Sequence, residues 1–124
     1  MPVLPAPPSP THTLGETRFT SLATPSRGSS DVSVWRVEVP PGQPGATHQV
    51  TRSEVFVVLS GRAGVVLGGE RSEAAAGDAI VVPADTDFAL EALGDVPMLA
   101  MCVLPAGGQA RLPGGEPFTP PWAQ

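Results

Sequence analysis

The sequence lacks lysine and tyrosine altogether, and it contains a single cysteine among its 124 residues. Its seven basic residues are therefore all arginine, and twelve acidic residues give a formal net charge of -5. An acidic protein of this kind is a poor match for nucleic acid or an anionic membrane surface, so neither is expected as a partner. The single cysteine, Cys102, cannot form a disulfide within the chain, and it gives no sign of an oxidising compartment.

The sequence also contains no long apolar run, and its N-terminus does not have the pattern expected of a secretory signal. The longest apolar segments, such as MLAMCVL at residues 98–104, are far shorter than the roughly 20 residues that span a membrane. The N-terminus, MPVLPAPPSPTHTLGE, has no positively charged start, and prolines interrupt its apolar residues, which argues against a secretory signal. We therefore expect a soluble, cytoplasmic protein.

Proline and glycine are abundant instead, with sixteen and fourteen copies. Five prolines fall within residues 1–10 and four within residues 113–124, which is typical of extended, polyproline-like segments. The chain is long enough for one domain with its own core. We predict a Pro-rich N-terminal arm at 1–15, a β domain at 16–105 and a Pro/Gly-rich C-terminal tail at 106–124.

Between the proline and glycine breakers, the hydrophobic pattern has a period of two. In SVWRVEV, Trp35, Val37 and Val39 alternate with polar residues, as expected for a strand with one buried face. Eight short strands are predicted: RFTSLA, SVWRVEV, EVFVVL, GVVL, ERSEAAAG, DAIVVP, FALEAL and MLAMCVL. Short strands at hairpin spacing indicate an all-β barrel or jelly roll.

Six residues in the centre of the chain are separated by characteristic spacings. They are Gly42, His48, Glu54, Gly61, Gly77 and Pro83. Their spacing resembles the two motifs of the cupin superfamily, G-x5-H-x-H-x3,4-E-x6-G and G-x5-P-x-G-x2-H-x3-N. With the flanking strands, the resemblance covers roughly residues 16–105 and implies a cupin-type β-barrel or jelly roll.

The chain departs from the cupin pattern at four positions. Val50 stands at the second histidine of the first motif and Phe88 at the histidine of the second motif, while Asp85 and Ala92 replace a glycine and an asparagine. The resemblance implies a metal held by three histidines and a glutamate, of which His48 and Glu54 remain. We therefore predict a degenerate metal site and no tightly held cofactor, with a divalent metal as the alternative.

A metal on His48 and Glu54 would need further ligands, because first-row metals take three or four protein ligands of the imidazole and carboxylate kind. The candidates in this chain are His12, Asp85, Asp87, Met98, Met101 and Cys102. Asp87 neighbours Phe88 on the opposite parity of a strand, so it is expected to point away. Cys102 is the more plausible recruit if its side chain faces inward, and as part of an apolar run it is otherwise expected to be a buried small hydrophobe.

The same substitutions favour an apolar pocket for a small organic molecule. The alternation of FALEAL predicts that Phe88 points into the barrel. Five residues are predicted to contact a ligand, with the arginine at the mouth of the pocket: Trp35, Val50, Arg52, Phe56 and Phe88. An apolar cavity with a few polar groups is the usual form of a small-molecule site.

His48 and Glu54 are the predicted catalytic pair, because an imidazole and a buried carboxylate can move protons near neutral pH. The predicted function is small-molecule binding in the barrel, with proton transfer of the isomerase or cyclase type if the protein is an enzyme. Two alternatives stay open: a metal-dependent cupin dioxygenase or isomerase with an atypical ligand set, and a non-catalytic ligand-binding accessory protein. Because exposed strand edges need cover, we also expect a homodimer, with the N-terminal arm or RFTSLA packed across a partner subunit.

Overall fold

The computed structural model of the protein describes residues 3–124, which form eleven strands and two single turns of 3-10 helix. The strands are β1 (His12–Leu14), β2 (Thr17–Ala23), β3 (Val32–Val39), β4 (Gln49–Val50), β5 (Glu54–Ser60), β6 (Arg62–Leu67), β7 (Glu70–Ala75), β8 (Ala79–Val82), β9 (Phe88–Ala92), β10 (Met98–Pro105) and β11 (Ala110–Arg111). The helical turns are Pro25–Arg27 and Pro121–Ala123. No helix within residues 3–124 has the length and apolar character needed to cross a membrane.

The strands pair into a six-stranded sheet in the order β1-β2-β3-β10-β5-β8, a three-stranded sheet β7-β6-β9 and a two-stranded ladder β11-β4. All ladders between named strands are antiparallel. The predicted all-β architecture is confirmed, and each of the eight predicted strands is present. Three short strands, β1, β4 and β11, were not predicted.

The core contains inward-facing residues from both larger sheets. In β10, Met98, Ala100, Cys102 and Leu104 are buried and alternate with half-buried residues, as the period of two requires. Apolar residues of β6 and β9 belong to the same buried cluster. The two sheets therefore face each other across one continuous hydrophobic core.

Two turn positions have positive φ angles, which few residues other than glycine adopt easily. Gly61 has a φ of 74°, and a Cβ added there would lie 2.3 Å from the carbonyl oxygen of Pro97, so only glycine fits. Asp85 occupies the position of the second motif's missing glycine and has a φ of 58°. Aspartate is among the few residues that adopt this left-handed conformation without a large cost, so the turn survives the substitution.

Both Pro-rich ends are partly built into the fold. Strand β1, inside the predicted N-terminal arm, pairs with β2 of the same chain. In the tail, β11 pairs with β4, and the Ser21 and Ser33 hydroxyls donate hydrogen bonds to the carbonyl oxygens of Trp122 and Ala123 at 2.7 and 2.6 Å. The three-part division of the chain stays a prediction, as does packing of the N-terminal arm across a partner subunit.

Candidate functional site

A cavity of about 410 Å³ opens between the sheets and the C-terminal tail. Its walls include residues of β2, β3, β5 and β9, of the loop before β4, and of the tail at 110–122. This volume lies within the range of pockets that bind small organic molecules, roughly 300–1,000 Å³. The fold thus builds one chamber from segments far apart in the sequence.

Every aromatic residue of the protein lines this cavity. The chain has four phenylalanines, two tryptophans and no tyrosine. They are Phe19, Trp35, Phe56, Phe88, Phe118 and Trp122. Because aromatic side chains bring large apolar surfaces, the chamber is predominantly apolar.

Glu54 is the single acidic residue among the cavity-lining residues. It opens β5 opposite Val82, and it is only 4% exposed. Within residues 3–124, its carboxyl group takes part in no hydrogen bond and no ion pair. Burial disfavours the charged form and raises the pKa of Glu54 to about 8. At neutral pH the carboxyl group is therefore mainly protonated, and it can donate as well as accept a hydrogen bond.

His48 lines the same cavity and is half-buried. Its Nδ1 lies 2.9 Å from the carbonyl oxygen of Ala46. Since a carbonyl oxygen only accepts, Nδ1 carries the proton in this contact, and Nε2 of the neutral ring keeps a free lone pair. The ring packs against Phe88, with 4.2 Å between ring centroids. His48 thus offers the cavity a hydrogen-bond acceptor.

The structure brings the predicted pair to one cavity without joining the two side chains. No hydrogen bond or ion pair links His48 to Glu54 in the part of the chain that is described. Each residue can therefore contact a ligand independently of the other.

The donor set does not fit the metal that the resemblance implies. In residues 3–124, no three side chains of histidine, cysteine, aspartate or glutamate lie close enough together to hold an ion. Val50 and Phe88 occupy two family ligand positions in the cavity wall, and they are only 2% and 1% exposed. None of the candidate recruits lines the cavity: His12, Asp85, Asp87, Met98, Met101 and Cys102.

The predicted ligand-contact residues divide into two groups. Trp35, Val50, Phe56 and Phe88 line the cavity, whereas Arg52 is exposed and does not. The arginine that lines the cavity is Arg111, which donates to the Gln49 side chain at 2.9 Å and pairs with Asp85.

Sequence reasoning missed the contribution of the C-terminal tail. Phe118, Pro120 and Trp122 line the cavity, and the Trp122 ring stacks on Phe19 with 3.7 Å between centroids. The aromatics in PFTPPW were the available signal, because apolar aromatic side chains among prolines favour packing over an extended solvent-exposed tail. Nothing local to that segment indicates which surface it covers.

Cys102 is expected to react slowly with thiol reagents in the folded protein. It is 0% exposed, and in the six-stranded sheet it lies opposite Trp35 on β3 and Phe56 on β5. Burial and, secondly, the charge of Glu54 raise the pKa of the Cys102 thiol, so the reactive thiolate is scarce. Labelling with a chromogenic disulfide should be slow in buffer and fast in denaturant. Rapid stoichiometric labelling of the folded protein would contradict this burial.

The fold and the cavity together define a small all-β protein with an open apolar cavity between its sheets and its C-terminal tail. The sequence model described as the cupin domain matches residues 35–104, more than half of the chain. The protein belongs to the cupin family, which confirms the resemblance drawn from its glycine, histidine, glutamate and proline spacing.

One curated relative is similar over about half of this chain. An uncharacterized protein of Methanocaldococcus jannaschii is 34% identical over 65 residues, which is 52% of each chain. The chain thus spans about half the length of this relative.

Solved structures resemble the fold over most of this chain. KdgF from Halomonas sp. matches with a TM-score of 0.66 and 23% identity, covering 77% of this chain and 84% of its own. Salicylate 1,2-dioxygenase from Pseudoaminobacter salicylatoxidans, solved as adducts with gentisate, matches with a TM-score of 0.70 and 20% identity, covering 85% of this chain and 31% of its own. At these identities the likeness shows the fold.

Proposed function

We propose that the protein binds a small organic molecule in the aromatic cavity and that Glu54 exchanges a proton with it. The observation that supports this proposal is the Glu54 carboxyl group, which is buried, lines an apolar cavity and has no partner among the described residues. Because Glu54 faces the cavity, a ligand there can supply the hydrogen bond that no described side chain makes to its carboxyl group. A neighbour of the same fold, salicylate 1,2-dioxygenase, forms adducts with gentisate, and small-molecule binding by this protein would agree with that.

The chemistry follows from the state of the two polar side chains. Because its pKa is about 8, close to neutral pH, the Glu54 carboxyl group is suited to act as a general acid or base. His48 accepts a hydrogen bond through Nε2, because Nδ1 is held by the Ala46 carbonyl oxygen. Glu54 therefore moves the proton, and His48 orients a donor group of the ligand.

A metal-dependent reaction is the weaker alternative for this chain, because within residues 3–124 no third histidine, cysteine, aspartate or glutamate joins His48 and Glu54 in a group that could hold an ion. An accessory protein without catalysis would keep the cavity and its ligand, and it would show no proton transfer.

A proton-abstraction assay tests the proposal without knowledge of the natural substrate. The probe is 5-nitrobenzisoxazole, a small aromatic heterocycle. A base takes the proton from its ring carbon, the freed electron pair forms a nitrile, and the nitrogen–oxygen bond breaks to give a coloured cyanonitrophenolate. We expect turnover whose rate rises with pH and levels off above about pH 8, as Glu54 becomes ionised.

Glu54→Gln should lower this rate by about 100-fold or more, since general bases contribute factors of that size. Glu70→Gln, which removes an exposed glutamate on β7 outside the cavity, is the matched control and should retain the rate. An unchanged rate in Glu54→Gln would show that Glu54 is not the base. Binding of the probe without turnover in the unmodified protein would favour the accessory alternative.

A further inference from the structure

The placement of aromatic side chains points to a class of ligand. Only 5% of the residues are aromatic, yet all six contribute to one cavity wall. They come from β2, β3, β5, β9 and the C-terminal tail, so no single local pattern in the sequence accounts for their convergence. The cavity is therefore richer in rings than the composition of the chain would lead one to expect.

The rings around Phe88 are tilted, not stacked. Phe88 and Phe56 are 6.0 Å apart with an interplanar angle of 59°, and His48 and Phe88 meet at 46°. Tilted aromatic walls present both ring faces and ring edges to the space that they enclose. A planar aromatic ligand gains from edge-to-face and offset contacts of this kind beyond the burial of its surface.

The polar groups of the cavity favour an uncharged ligand. The positive charge of Arg111 is already matched by Asp85, and its guanidinium also bonds to Gln49. Glu54 lies in an apolar wall, where an anionic group beside it would be poorly solvated. What Glu54 lacks is a neutral hydrogen-bonding partner, such as a hydroxyl group.

We propose that the ligand is an uncharged aromatic compound whose hydroxyl group bonds to the Glu54 carboxyl group, that is, a phenol. This inference rests on the proposed function, because it names the class of molecule that enters the same cavity. The rings supply the preference for a planar ligand, and Glu54 supplies the preference for the hydroxyl group.

The two tryptophans make the test direct. Trp35 and Trp122 both line the cavity, and the chain has no tyrosine, so intrinsic fluorescence reports on this cavity alone. Phenol, cyclohexanol, toluene and benzoate would each be titrated into the full chain, with the affinities checked by calorimetry. We expect phenol to bind about 10-fold more tightly than cyclohexanol, its saturated counterpart, and benzoate to bind more weakly than phenol.

Glu54→Leu separates the role of the hydroxyl group from that of the ring. It should weaken phenol binding by about 5-fold, the usual worth of one hydrogen bond, and leave toluene binding as tight or tighter. If phenol and toluene respond equally to the substitution, the assignment of the hydroxyl group to Glu54 is wrong. Benzoate binding as tight as that of phenol would contradict an uncharged ligand.

Failure of this inference can be told apart from failure of the proposed function. Equal affinities for phenol and cyclohexanol would overturn the aromatic preference, while binding itself and turnover of the benzisoxazole would still support a small-molecule site with a proton-transferring Glu54. If none of the four probes binds and the benzisoxazole is not turned over, both proposals fall.

Discussion

From pH 5 to pH 8 the free energy of unfolding of the unmodified protein is expected to fall by about 3 to 4 kcal/mol because of Glu54, and in Glu54→Gln this fall should be absent. Burial raises the pKa of Glu54 from 4.5 to about 8 in the folded protein. Below pH 4.5 both the folded and the unfolded chain hold the proton. Above it the unfolded chain releases the proton while the folded chain keeps it, so stability falls until the pH passes about 8.

Urea unfolding at pH 5 and pH 8 measures this effect as the difference between the two proteins. A buried glutamine carries its own cost, but that cost is the same at both pH values and cancels in the comparison. Glu70→Gln, exposed on β7, should keep the pH dependence of the unmodified protein. Parallel pH curves for the unmodified protein and Glu54→Gln would show that Glu54 is not buried as described.

The double substitution Val50→His and Phe88→His is expected to raise the affinity for zinc by on the order of 10³-fold or more. The binding free energy of zinc at a four-ligand site is about 10 kcal/mol or more, so adding two of the four ligands should contribute several kcal/mol of it. The unmodified protein should hold zinc only weakly, since His48 and Glu54 are its remaining ligands of the family set.

The backbone is suited to this restoration. His48 and Phe88 exchange two hydrogen bonds across an antiparallel bridge, at 3.0 and 2.9 Å, so their side chains emerge side by side. Val50 lies two residues after His48 and points into the same cavity, as does Glu54. Histidines at 50 and 88 would therefore join His48 and Glu54 around one space.

Competition with a zinc-binding dye measures the affinity, and urea unfolding checks that the double variant folds. Loss of the Phe88 ring leaves space and costs stability, roughly 3–5 kcal/mol for a complete truncation and less for an imidazole. Adding Glu54→Gln to the double variant is the matched control and should lower the restored affinity. Near-stoichiometric zinc in the unmodified protein, lost on His48→Ala or Glu54→Ala, would contradict the expectation and favour the metalloenzyme alternative.

The strands with long alternating patterns could be predicted from the sequence, because the period of two is a local property. SVWRVEV and MLAMCVL became β3 and β10, which pair over eight residues. Strands β4 and β11 have two residues each and show no period of their own. They exist because the tail meets the loop before β5, which is a tertiary contact.

The candidate site was predictable where it follows the motifs and not where it depends on the tail. His48, Glu54 and Phe88 were placed by their spacing, and all three line the cavity. Arg52 is close to Glu54 in sequence, but it lies in the exposed connection between β4 and β5. Arg111 reaches the cavity because its strand pairs with β4, at a separation of 62 residues from Gln49 that no local pattern reveals.

The tail hydrogen bonds of Ser21 and Ser33 span 101 and 90 residues of sequence. Each of these hydrogen bonds closes a long loop of chain, which costs conformational entropy. Segments held by few contacts open locally more often than the rest of a protein. Trp122 belongs both to this docked segment and to the cavity wall. Binding of the proposed ligand would therefore be linked to docking of the tail: a bound ligand would stabilise the docked tail, and undocking of the tail would lower the affinity for the ligand.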